Sequence, residues 1–247
     1  MAISPLRFVG YALALFLGAG IISISAYTET QGKPLEALRS LFSPRMSVTE
    51  KNTDGSLDEM RPFGPDDHVW GESRSPITII TYGDTECPYT KKFFLEMQKV
   101  MSEYGNGTVA WVYRHFPNKE LHPQAWGEAE AAECAGRVGG KMKFWEYLQG
   151  IFSETQSHNT LDKERLTWIA EELGIPINEF NECRVSRTMA SRVSQDAQNA
   201  YLLGARGTPT SIIIMRDGEP IKIDGYMSSE EVIEQIKLLS ASSGGVK

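Results

Sequence analysis

The chain has 247 residues, is 41% apolar and 23% charged, and carries a net charge of −7 and three cysteines. The length allows one large domain or two small ones, and the composition excludes a disordered, collagen-like or multi-span membrane chain. Scattered Lys and Arg in an acidic chain lack the basic footprint of a nucleic-acid binder, so no nucleic-acid partner is expected. Three is an odd number: outside the cytosol, one disulfide leaves one thiol over as a candidate for chemistry.

Phe8 to Tyr27 is free of charge and preceded by Arg7, the pattern of a membrane-targeting segment. It exceeds the usual signal-peptide core of about 7 to 15 residues and matches the roughly 20 needed to cross a bilayer. This favours an uncleaved anchor within residues 1–27, with membrane contact through 8–27. The rival reading is a signal cleaved at Ala26, with Ser23 and Ser25 as the small residues before the cut. Arg7 on one side and Lys33, Arg39 and Arg45 on the other leave orientation open. Residues 28–66, with Pro34, Pro44, Pro62 and Pro65 and no sustained apolar period, read as a flexible linker reaching about 35 Å.

A folded domain is expected over 67–242. Ile77 to Tyr82 is a buried strand, and Phe93, Phe94, Met97, Val100, Met101 and Tyr104 recur at helical spacing, with Gly105 placed for a left-handed cap. Thr108 to Tyr113 is a second strand, completing a strand-helix-strand unit with a parallel pair. A helical region of about 121–203 follows. It contains EAEAAECA around Cys134, FWEYLQGIF from Phe144, RLTWIAEEL ending at Gly174, and a polar segment from Thr188 to Leu203. Ser211 to Met215, an Asp217-Gly218 turn and Ile221 to Ile223 form a hairpin. The last helix opens on a Ser228/Glu231 capping box. Trp111, Trp126, Phe144, Trp145 and Trp168 read as core. The architecture is α/β, with a helical insertion between two β-containing halves.

Cys87 directly follows the first strand, where the next helix begins. There the free N–H groups and the helix dipole favour thiolate over thiol. Pro88 suits the first helical position because its missing N–H has no partner there in any case. Thr90 is placed to donate a hydroxyl hydrogen bond to the sulfur, and Tyr89 to offer apolar surface beside it. Glu86 reads as a solvated carboxylate, the alternative being a like charge that raises the Cys87 pKa. His115 and His122 match no zinc pattern with Cys87, and no metal or cofactor is expected. Asn106-Gly107-Thr108 is a glycosylation sequon or a turn after the helix.

The runs TYGDTECPYTKKFF, WVYRHFP, LHP, EAAECAG, FWEYLQGIF, FNECR and RGTPTSIII occur in the order seen in the DsbA-like branch of the thioredoxin superfamily, which the chain resembles over about residues 67–240. The resemblance implies a thioredoxin fold with an inserted helical domain, and a nucleophilic role for Cys87. It also implies a cis-proline motif at Thr208 and Pro209 that presents backbone to an extended substrate. Related proteins often join the positions of Cys134 and Cys183 in a second disulfide, so these two are expected to pair; the alternative has Cys134 resolving Cys87. Such pairing needs an oxidising space and places the domain on the extracytoplasmic side, anchored there, or periplasmic or secreted if the segment is cleaved. Where the family has its second active-site cysteine, this chain has Thr90. The expected activity is therefore monothiol exchange with cysteine-containing proteins or with small thiols such as glutathione, and the alternative is a redox-inactive peptide-binding or chaperone module.

Overall fold

The computed structural model describes residues 55–216 and 218–243. The membrane segment expected over 8–27, most of the expected linker, and Asp217 of the hairpin turn lie outside the described residues. Among those described, no helix is long and apolar enough to cross a membrane.

The chain runs β1 (His68–Trp70), β2 (Ile77–Gly83), α1 (Pro88–Tyr104), β3 (Val109–His115), α2 (Ala125–Gly139), α3 (Lys141–Glu154), α4 (Lys163–Glu172), α5 (Ile177–Val185), α6 (Ala190–Leu202), β4 (Thr210–Met215), β5 (Ile221–Asp224) and α7 (Ser229–Ser243). The five strands form one sheet in the order β1-β3-β2-β4-β5. β2 and β3 are parallel, with Ile77 opposite Val109 and Gly83 opposite His115, so both end on the same edge. β4 runs antiparallel to β2, and β5 to β4. This is the expected α/β arrangement, a mixed sheet with the helical region inserted between β3 and β4.

Every residue of β2 and β3 is buried because both faces of the sheet are covered. Ile77 and Ile79 of β2 and Trp111 and Tyr113 of β3 point into the larger core, with Phe94 and Met97 of α1 and Phe144, Trp145 and Phe152 of α3. Ile80, Tyr82 and Val112, one residue out of phase, point the other way onto Ala200 and Leu203 around the end of α6. The period of two thus assigns each strand residue to one of two cores. Helix α2 is buried on nearly every side, and alanines at 125, 129, 131, 132 and 135 let α3, α5 and α6 pack closely around it. Cys134 of α2 and Cys183 of α5 form a disulfide with Cα atoms 5.9 Å apart. The expected pairing is present, and Cys134 is unavailable to resolve Cys87.

Several expectations are corrected. Gly105 has φ −67° and stays right-handed; the left-handed break falls at Gly107, with φ +91°, after an added turn of chain. The linker expected through residue 66 ends earlier. Leu57–Glu59 form a 3-10 turn, the Ser56 amide donates to the Leu202 carbonyl, and Leu57, Met60 and Phe63 pack on the smaller core. Trp168 is 38% exposed, beneath the Arg165 guanidinium, and half-buried Trp126 lies under the Lys119 ammonium. Both indoles serve as platforms for cations at the rim of the core. The capping box forms as read: the Glu231 amide donates to Ser228 Oγ, and the Ser228 amide to the Glu231 carboxylate.

Candidate active site

The end of β2 sets the site. Gly83 closes the strand because an added Cβ would meet the Tyr113 hydroxyl oxygen at 2.5 Å. The chain then turns through Asp84, Thr85 and Glu86 to Cys87, which caps α1 with extended backbone, and Pro88 takes the first helical position. Asp84 knots this turn together. Its Oδ1 accepts from the Glu86 amide, and its Oδ2 accepts from the Asn118 amide at 2.7 Å and pairs with His122 Nδ1 at 3.0 Å. Burial raises the Asp84 carboxyl above its ordinary value, partly offset by the Asn118 amide and His122.

Cys87 is the free cysteine among the described residues, and it is 7% exposed. Its Sγ donates to the Thr208 carbonyl at 3.2 Å, and the Thr208–Pro209 bond is cis. Residues 121 positions apart are thus brought together, as the motif reading expected for Thr208 and Pro209. Tyr89 stands 57% exposed beside the sulfur-bearing turn, with Lys92 over its ring. Thr90 departs from its expected role. Buried in the first turn of α1, its Oγ1 accepts the Asp84 amide at 3.4 Å, and no hydrogen bond to Cys87 forms among the described residues.

Glu86 overturns its reading as a solvated carboxylate. It is 0% exposed, with Oε1 accepting from the Thr155 hydroxyl at 3.0 Å and Oε2 from the Asn159 amide at 2.6 Å. Its carbonyl takes the His158 amide at 3.0 Å. These bonds hold Ser157, His158 and Asn159 in three successive left-handed conformations, with φ of 72°, 56° and 65°. Such residues cost of order 1 kcal/mol each outside glycine, so a buried carboxylate must specify them. The loop sets the exposed His158 ring 5.6 Å from that of His122.

Thr85 donates to Glu128 of α2 at 2.6 Å, joining the inserted domain to the active-site turn. Burial first, then the neighbouring Glu86, pushes the Glu128 carboxyl up to about 9, although the Thr85 bond lowers it. In the sequence Glu128 is only part of a helical run, where a carboxylate among alanines is the available signal.

A second polar network lies further along α2 and gathers residues of the WVYRHFP and EAAECAG runs that the sequence left without a role. Asp67 accepts from Arg61, Arg114 and Arg192, Asp196 accepts from Arg61, and Glu133 lies between His68 and His115. Burial raises the Glu133 carboxyl, but its bonds with His115 and His68 outweigh this and hold it well below the usual range.

A turn that presents a cysteine at a helix start, facing a cis-proline loop across a mixed sheet, defines a thioredoxin-fold thiol site. Residues 64–237 match the Thioredoxin family model, and the chain belongs to that family, with a DsbA-like arrangement. It is similar to a protein named Na(+)/H(+) antiporter NhaA 1 from Salinispora arenicola, 34% identical over 162 residues, which are 65% of this chain and 24% of that one. A protein of the same name from Mycolicibacterium gilvum is 33% identical over 197 residues, 78% of this chain and 30% of that one. The chain thus spans about a quarter of the length of these curated relatives. Among solved structures it is similar to Pseudomonas aeruginosa DsbA2, with TM-score 0.60, 24% identity and coverage of 72% of this chain and 97% of that one. Wolbachia pipientis alpha-DsbA1 gives TM-score 0.64 and 22% identity, covering 75% and 96%. Bacillus subtilis BdbD gives 0.63 and 21%, covering 75% and 97%.

Proposed function

We propose that the protein is an extracytoplasmic thiol-disulfide exchange protein that works through Cys87 alone. The Cys87 thiolate attacks one sulfur of a protein or small-molecule disulfide. A new S–S bond forms, the old one breaks, and the departing thiolate takes up a proton. Thr90 supplies no second sulfur and Cys134 is already bonded to Cys183, so the mixed disulfide is resolved by an incoming thiol from glutathione or a substrate cysteine. The observation that carries this reading is the placement of Cys87 Sγ, at the start of α1 and 3.2 Å from the Thr208 carbonyl beside cis-Pro209. An extended chain laid along residue 208 passes the sulfur at bonding range. The Cys134–Cys183 disulfide supports an oxidising compartment. Similarity to a segment of proteins named as antiporters supports work close to a bilayer, in keeping with an anchor at 8–27.

The test is turnover of a glutathionylated peptide by the wild-type protein, Cys87→Ser and Thr90→Cys. Wild type should turn over only with added glutathione, Cys87→Ser should be inert, and Thr90→Cys should acquire an oxidised form lacking two titratable thiols. Capture of unfolded chains by Cys87→Ser at wild-type strength, with no turnover by wild type, would favour the peptide-binding module instead.

A further inference from the structure

Two carboxyl groups meet at the turn that carries Cys87, and neither is in an ion pair among the described residues. Glu86 is 0% and Glu128 2% exposed, and they stand within hydrogen-bonding reach of each other. Both Glu86 oxygens already accept a donor, and Glu128 Oε2 takes the Thr85 hydroxyl, whereas Glu128 Oε1 has no partner among the described residues. Two ionised carboxylates are acceptors only and cannot bond each other; one shared proton turns the contact into an O–H···O bond and satisfies the orphaned oxygen.

The surroundings favour that proton on Glu128. Asp84 on the same turn adds like charge, and its own partner is His122. From β3, the Tyr113 hydroxyl is buried without a partner among the described residues, and from α3 Tyr147 donates to the Leu166 carbonyl. The nearby cations are engaged elsewhere or exposed: Lys91 of α1 donates to the Thr155 carbonyl, Arg184 of α5 to the Thr167 hydroxyl, and Lys163 begins α4 at the surface. His158 stands exposed on the loop that Glu86 holds. A cavity of about 100 Å³, lined by Gln124, Gly127, Glu128, Lys163 and Arg184 among others, reaches Glu128 from the inserted domain. It has room for about three waters, and Cys87 is not among its lining residues.

We propose that Glu128 is a positioning residue for Cys87: it holds a proton at neutral pH, bridges it to Glu86, and so limits the charge of the carboxyl pair beside the sulfur to one. The inserted domain thereby sets the electrostatic setting of a nucleophile that belongs to the thioredoxin half. This rests on Cys87 being the exchange nucleophile, but the proton itself is observable without any exchange reaction.

The experiment has two arms. Infrared difference spectra of the full chain against Glu128→Gln should show, at neutral pH, the carbonyl stretch of a protonated carboxylic acid in wild type only, fading as pH rises towards 9. Cys87 alkylation at mildly acidic pH should then rise about tenfold in Glu86→Gln/Glu128→Gln, which removes the single charge, and by less in Glu86→Gln, where Glu128 takes the charge over. Gln keeps the volume and a hydrogen-bonding amide at each site, and circular dichroism checks that the variants fold. Absence of the acid band at neutral pH overturns the proposal. So does a wild-type alkylation rate in the double variant, or a clear rise in Glu128→Gln alone, which means that Glu128 was ionised. Failure of the exchange reading appears separately, as an acid band present in a protein that turns over no disulfide.

Discussion

Replacing Asp67 by Asn probes the network that fastens the start of the domain. The carboxylate accepts Arg114 Nε and Nη2 at 3.0 Å each, Arg61 Nη2 at 2.8 Å, Arg192 Nη2 at 3.2 Å and the Gly64 amide at 3.0 Å. Burial raises this carboxyl, but Arg114, Arg61 and Gly64 together outweigh it and hold the group at about 2, against 3.8 ordinarily. At about 1.36 kcal/mol per unit, the ionised form contributes about 2 kcal/mol. Because the folded value is the lower one, that contribution is complete above about pH 4 and is lost as pH falls through about 2. Asparagine keeps the volume, removes the charge, and turns an NH2 group towards donors, leaving Arg114 buried and uncompensated. A loss of about 3 to 5 kcal/mol is expected at neutral pH. Urea unfolding measures it, and repeating the titration down to about pH 2 should show that the variant lacks the acid-limb loss of wild type. A variant within 1 kcal/mol of wild type, or one with an unchanged acid limb, would refute the reasoning.

Cys183→Ala opens a loop spanning 49 positions and should cost about 4 kcal/mol in the same assay, while leaving Cys87 alkylation at its wild-type rate. Gly83→Ala sets a methyl 2.5 Å from the Tyr113 hydroxyl oxygen, and a loss of about 1 to 3 kcal/mol in thermal unfolding is expected from the forced shift. Glu128, held up to about 9, favours folding most when protonated, so its contribution is full below about pH 4.5 and declines as pH rises towards 9. Glu128→Gln should therefore be about 1 kcal/mol or more stabler than wild type at neutral pH, with a flatter dependence between about pH 5 and 8.

The elements that a short window specifies were legible. Ile77 to Tyr82, β-branched up to its aromatic end, forms β2; the apolar spacing from Phe93 to Tyr104 forms α1; Ser228 and Glu231 cap α7 as their spacing requires. The site was legible where one motif carries it: Cys87 and Pro88 sit at the helix start, and Thr208 and Pro209 come to meet them. What escaped depends on partners far along the chain. Glu86 looks exposed until Thr155 and Asn159 are folded onto it, and Glu128 acquires its meaning from Thr85, 43 positions earlier. β1 is three residues long and pairs only with β3, too short for any period to register. Proximity in sequence suggests a bond from Thr90 to Cys87, whereas the turn places the Thr90 hydroxyl oxygen to accept the Asp84 amide.

The segment ahead of β1 also has a mechanical meaning. Ser56 is bonded to Leu202 near the end of α6, and Arg61 to Asn199 and Asp196 on the same helix. A pull arriving from the N-terminal side therefore loads α6 and, through Arg114, the buried strand β3 before it reaches β1. If residues 1–27 hold the protein at a membrane, tension on the tether is met first by the bonds of Ser56, Arg61 and Asp67, which precede the turn that carries Cys87 in the chain.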